Sequence, residues 1–118
     1  QEAGYLQTMR LFQQVPDVTA IAASNDAMAQ GACRACWETG RKIPDDISII
    51  GFDNLPGSAY RNPPLTTVVQ PLYEIGYKAA NYLYLYLSGT LAELPGETLE
   101  TKLVIRNSTA KVKQNVIK

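Results

Sequence analysis

The sequence predicts an α/β fold, a parallel sheet with helices on both faces, and three observations carry that expectation. The runs "AIAA" (20–23) and "ISIIGF" (47–52) are apolar along their length instead of alternating, as parallel strands covered on both sides are. Between them "DAMAQGACRACWETG" reads as a helix, and strand, helix and strand within roughly thirty residues is the spacing of a βαβ unit. A third strand-like run, the β-branched "LTTVV" (65–69), follows the Pro/Gly-rich connection "LPGSAYRNPP".

In chain order, residues 2–14 place Tyr5, Met9 and Phe12 at i, i+4 and i+7, one face of a helix that Pro16 ends. The side chains of "SND" (24–26) supply capping groups for the next helix, which starts near Asp26 and stops at Gly40. After "LTTVV", Pro71 suits a first helical turn. Leu72, Ile75, Ala79, Leu83 and Leu87 then trace an apolar stripe up to Gly89. In "TLETKLVIR" (98–106), Leu99, Leu103 and Ile105 alternate with Glu100, Lys102 and Arg106, the pattern of an edge or one-sided strand. Residues 107–118 are expected to form a flexible tail.

The chain has 118 residues, 46% of them hydrophobic, which is enough for a folded core. Eleven Lys and Arg balance eleven Asp and Glu, with no run of five or more like charges, so the footprint of a nucleic-acid or anionic-membrane surface is missing. Its longest apolar runs are far shorter than the roughly 18 residues of a membrane span. The chain opens on Gln1 and goes at once into a helical pattern, as an internal piece of a longer polypeptide would. Cys33 and Cys36 have C-x-x-C spacing, but the chain lacks His and a third Cys for zinc, and both lie well inside a helix, away from the N-terminal end that favours a thiolate. They read as small buried helix residues in a reducing compartment.

In an open parallel sheet, ligands bind beyond the carboxyl ends of the strands. This chain puts a polar group at each such end: Asn25 after "AIAA", Asp53 after "ISIIGF" and Gln70 after "LTTVV". Amides donate and accept, and a carboxylate accepts from two hydroxyls, so the set suits a ligand rich in OH or NH groups. Each has a plainer reading. Asn25 or Asp26 can cap the helix, Asp53 and Asn54 can begin the turn before Pro56-Gly57, and Gln70 can be a solvated residue before proline. The inventory does not suit an enzyme: without His there is no nucleophile–His pair, and no phosphate-binding glycine loop follows a strand. A helix-turn-helix over 26–50 also fails, because Pro44 and "ISII" stand where a recognition helix would lie. Trp37 and tyrosines 73, 77, 82, 84 and 86, with no basic stripe beside them, read as packing or interface residues.

The blocks "SND.MA.GA", "G..IP.DISI.GFDN", "PPLTTV.QP" and "LV.R.ST", in this order over residues 4–109, resemble the C-terminal portion of the effector-binding domain of the lactose-repressor (LacI/GalR) family of bacterial transcription regulators. The resemblance implies one truncated lobe of a periplasmic-binding-protein-like (type I) domain, in which two lobes hold a small effector in their cleft. It places Asn25, Asp53 and Gln70 against the effector, a sugar or nucleoside-like molecule. It also implies a homodimer through Gln30, Arg34, Tyr60 and Arg61, and for Tyr60 the alternative is a loop residue lying on its own subunit. "LTTVVQP" becomes a crossover to the other lobe, with the strand near 103–106 crossing back. Operator DNA would be read by a head that, like the first lobe, precedes these residues. The resemblance implies a cytoplasmic protein, no metal or cofactor, and no membrane partner. An exported sugar-binding protein of a transport system shares the fold, and the upstream sequence, helix-turn-helix or signal peptide, separates the two.

Overall fold

The computed structural model describes residues 1–112, with the order α1 (Glu2–Gln14), β1 (Ala20–Ala22), α2 (Asp26–Glu38), β2 (Ser48–Phe52), a 3-10 turn (Ser58–Tyr60), β3 (Thr66–Val69), α3 (Leu72–Leu87) and β4 (Lys102–Val104). The strands form one sheet in the order β1-β2-β3-β4, with β1 parallel to β2 and β2 parallel to β3. The chain divides into two compact units, one comprising Gln1–Val69 and Leu103–Lys118, the other Gln70–Lys102.

In the first unit α2 lies on β2 and α1 packs on α2. Phe12, Ala29, Ala32, Ala35, Cys36, Ile47, Ile49 and Leu65 make the core. Full burial of a side chain the size of Ile49 or Leu65 contributes about 2 kcal/mol, so this small set carries much of the unit's stability. Gly4 and Gly31 let the two helices touch backbone to backbone: a Cβ on Gly4 would stand 2.2 Å from the Met28 carbonyl oxygen, and one on Gly31 2.1 Å from that of Gln1. Burial alternates along β2. Ile49 and Gly51 are buried, whereas Ser48, Ile50 and Phe52 are half-buried, so one face is fully covered and the other in part.

The second unit is α3 and the segment that returns along it. Lys78 pairs with Glu97 and, at 3.1 Å, with Glu74, while the Tyr82 hydroxyl donates to Glu97 Oε2 at 2.6 Å. No residue of α3 is buried. The stripe that includes Leu72, Leu83 and Leu87 is 59%, 50% and 74% exposed, respectively.

The expected strand over 98–106 is reduced to Lys102–Val104. Its continuation is prevented because the Arg106 N–H donates to the Thr66 side chain at 2.9 Å and the Asn107 N–H to the Pro64 carbonyl at 3.0 Å. The start of the expected flexible tail is likewise bonded to the sheet. Ser108 is fully buried; its carbonyl accepts from the Ile49 N–H at 2.8 Å, and its hydroxyl donates to the Ile49 carbonyl at 2.6 Å and accepts from the Thr66 N–H at 2.8 Å. Residues 113–118 of that tail lie outside the described residues.

Candidate ligand site at the carboxyl edge of the sheet

β1 and β2 run side by side in register, Ala22 opposite Ile50, and the ladder continues through the Ala23 N–H to the Ile50 carbonyl at 2.9 Å. Both strands therefore deliver their following residues, Asn25 and Asp53, to the same edge of the first unit. Asn25 is in extended conformation, and its Oδ1 accepts from the Met28 N–H at 2.8 Å, so Asn25 rather than Asp26 is the cap of α2.

Asp53 has φ 103° and Asn54 φ 53°. Asn tolerates the left-handed region, but for Asp53 a φ this positive is strained by an amount on the order of 1–3 kcal/mol, which only surrounding structure can hold. The hold is visible. The Asp53 N–H donates to the Val68 carbonyl at 2.9 Å, extending the β2–β3 ladder by one bond. The Asn54 N–H reaches Thr67 Oγ1 at 3.3 Å, the Leu55 N–H reaches Asp26 Oδ2 at 2.8 Å, and Arg106 donates to Asn54 Oδ1 at 2.7 Å and to the Leu65 carbonyl at 2.7 Å. Asp26 is 1% exposed and also accepts from the Ser58 and Thr67 hydroxyls. Sequence reading treated Asp26 as a possible cap and did not single out Arg106 as a brace; the signal for Arg106 was its place in the block "LV.R.ST".

Gln70 directly follows β3 in the chain and belongs to the second unit. There it lines a pocket of about 550 Å³ with Ile75, Lys78, Ala79, Leu83 and Leu99 among the walls.

Gln30 and Arg34 lie one turn apart on α2. Gln30 accepts a hydrogen bond from Gln1, and Arg34 donates to Glu38 Oε1 at 2.8 Å with its guanidinium 4.9 Å above the Tyr5 ring. Tyr5 donates to Glu38 Oε2 at 2.6 Å. That bond, and then the one from Arg34, hold the Glu38 carboxyl below its ordinary value, while the same contact with Glu38 raises the Tyr5 phenol. Tyr60 is 91% exposed. Arg61 folds back near Cys33, whose thiol is raised by burial and partly lowered by the Arg61 charge; the Arg61 Nε is buried with no hydrogen-bond partner. Burial pushes the Cys36 thiol up to about 12. Among the described residues no group of three or more His, Cys, Asp or Glu could hold a metal ion, and no helix is long and apolar enough to cross a membrane.

Parallel strands covered by helices make an α/β lobe, and the chain belongs to the family of periplasmic binding protein-like domains, whose model matches residues 1–109. Its relatives within that class are repressors of the lactose-repressor family, in agreement with the motif resemblance. The transcriptional repressor CytR of Escherichia coli (strain K12) is 38% identical over 108 residues, 92% of this chain and 32% of CytR. A LacI family regulator from Enterococcus faecium with bound ribose superposes with TM-score 0.85 at 36% identity, covering 95% of this chain and 41% of that one. The lac repressor dimer bound to operator and the anti-inducer ONPF superposes with TM-score 0.85 at 33% identity, covering 93% of this chain and 38% of that one. The chain thus spans about a third of the length of the curated relatives it matches.

Proposed function

We propose that these residues are the C-terminal portion of the effector-binding domain of a transcription regulator. A small polar effector, a sugar or a nucleoside-like molecule, is held by Asn25, Asp53 and Gln70 in a cleft completed by a first lobe. The single observation that carries this reading is Asp53, held at φ 103° by a closed set of hydrogen bonds at the carboxyl edge of two parallel strands. A carboxylate on a backbone held in so strained a conformation at such an edge suits a preorganised acceptor for ligand hydroxyls. The ribose bound to the Enterococcus faecium relative supports the ligand class, and the repressor relatives support the regulatory role over an exported solute-binding one.

Effector binding would favour one arrangement of the lobes and, through a homodimer, change the placement of two DNA-reading heads on the operator. Gln30, Arg34, Tyr60 and Arg61 are the proposed dimer contacts; the exposed Tyr60 and the ordered Arg34 guanidinium are its anchors. The protein acts in the cytoplasm, catalyses no reaction and needs no cofactor.

A thermal-shift panel of ribose, lactose and cellobiose on the full-length protein tests this. A cognate sugar at about a hundred times its Kd adds roughly 2.7 kcal/mol to stability, a rise of a few degrees in Tm. Asp53→Ala abolishes that rise while operator binding persists. An unchanged sugar response in the Asp53→Ala protein removes Asp53 from the pocket.

A further inference from the structure

We propose that Asp26, which is buried beneath the site and need touch no ligand itself, is the positioning residue that aims the Asp53 carboxylate. The inference rests on the reading of Asp53 as an effector-binding group and concerns how that group is held.

Asp53, Asn54 and Leu55 have three consecutive backbone N–H groups, and each is held. The first goes to the Val68 carbonyl at 2.9 Å, the second to Thr67 Oγ1 at 3.3 Å and the third to Asp26 Oδ2 at 2.8 Å. Thr67 donates its hydroxyl to Asp26 Oδ1, so Asp26 governs the second contact as well as the third. Ser58 donates to the same carboxylate, which ties down the far end of the turn. Gly51 makes this possible, because a Cβ there would stand 2.2 Å from Asp26 Oδ1. A carboxylate accepts from all three donors at once; an amide at position 26 would either turn its NH2 against the Leu55 N–H or donate to Thr67 Oγ1 and leave the Thr67 hydroxyl proton without this acceptor. A relaxed turn would not need such a clamp. This one surrounds the residue at φ 103°.

The test uses the full-length protein with Asp26→Asn and the milder Thr67→Val, which cuts one arm and keeps the shape. Phe12→Leu on α1 serves as a core-destabilised control, with every variant measured equally far below its own Tm. Amide hydrogen exchange at Asn54 and Leu55 is expected to accelerate by about tenfold or more in both clamp variants, with Ile50 unchanged, and the affinity for whichever of ribose, lactose or cellobiose stabilises the parent is expected to fall by about tenfold. Phe12→Leu changes neither. Local exchange and affinity in the clamp variants no different from the control overturn the proposal. If none of the three sugars stabilises the parent, the sugar reading has failed, and if Asp53→Ala responds as the parent does, the placement of Asp53 in the pocket has failed; in either case exchange at Asn54 and Leu55 still decides whether Asp26 holds the turn.

Discussion

Neighbouring residues of one type divide their work by burial, and Cys33 and Cys36 show it in a measurable way. Cys36 is fully buried among α2 and the core, and burial holds its thiol protonated up to about 12, against the ordinary 9.0 of an unfolded cysteine. Between those values the folded state binds a proton that the unfolded state has released. The stabilisation is whole below about pH 9 and is lost as pH rises toward 12. Lys78, raised to about 12 by Glu97 and then Glu74, acts in the same direction, but from an exposed position where solvent screens it. The expected outcome is a fall in Tm on going from about pH 8 to about pH 11 that becomes shallower in Cys36→Ala. In the parent, iodoacetamide at about pH 8 modifies Cys36 only on unfolding, because the thiolate is the nucleophile. Mass spectrometry finding complete Cys36 alkylation of the native protein, or identical slopes for the two proteins, counts against the burial account.

At the scale of elements, α1 and α2 depend on glycines for their close approach. Ala at position 4 gains about 1 kcal/mol of helix propensity, but its Cβ would meet the Met28 carbonyl at 2.2 Å, and overpacking of that kind costs about 1–3 kcal/mol. The clash wins, and Gly4→Ala lowers the denaturant midpoint of the 118-residue chain. Gly76→Ala on α3, with nothing within 4 Å, raises helicity by circular dichroism. Equal signs for the two substitutions would sink the packing explanation. Periodicity and punctuation made most elements readable beforehand: Tyr5, Met9 and Phe12 for α1, the apolar runs for β1 and β2, and Gly40 and Gly89, both at positive φ, for the helix ends. What remained hidden depends on partners distant in sequence. Gly4 against Met28, Asp26 against Ser58 and Thr67, and Ser108 against Ile49 and Thr66 are each determined by tertiary contact, which no local pattern encodes. Strand-end polarity pointed to Asn25 and Asp53 as a possible site, but not to the strain at Asp53, since φ is not written in a side chain's identity.

The molecule as a whole divides into two compact units, of which the second begins at Gln70, just after "LTTVV", and ends at Lys102. A unit of that length falls below the roughly 40 residues at which a single core can sustain itself without disulfide, metal or oligomer. It has compensated with a polar seam, Lys78 and Tyr82 against Glu97, and has left the apolar side of α3 in solvent, with Leu72 59%, Tyr77 63%, Leu83 50% and Leu87 74% exposed. Each such side chain gains about 1.5–3 kcal/mol on full burial, so even partial cover by another surface outweighs a weak association cost. In the longer regulator proposed above, the first lobe would supply that cover. In the 118-residue chain alone, a second copy is the available partner, and the chain is expected to self-associate, with a mass by light scattering that rises with concentration. Substituting Leu83 and Leu87 by Lys should return it to a monomer without loss of the first unit's core. A parent chain that stays monomeric across a wide concentration range would show that α3 is no docking helix, and with it the assignment of residues 70–102 to the other lobe would fall.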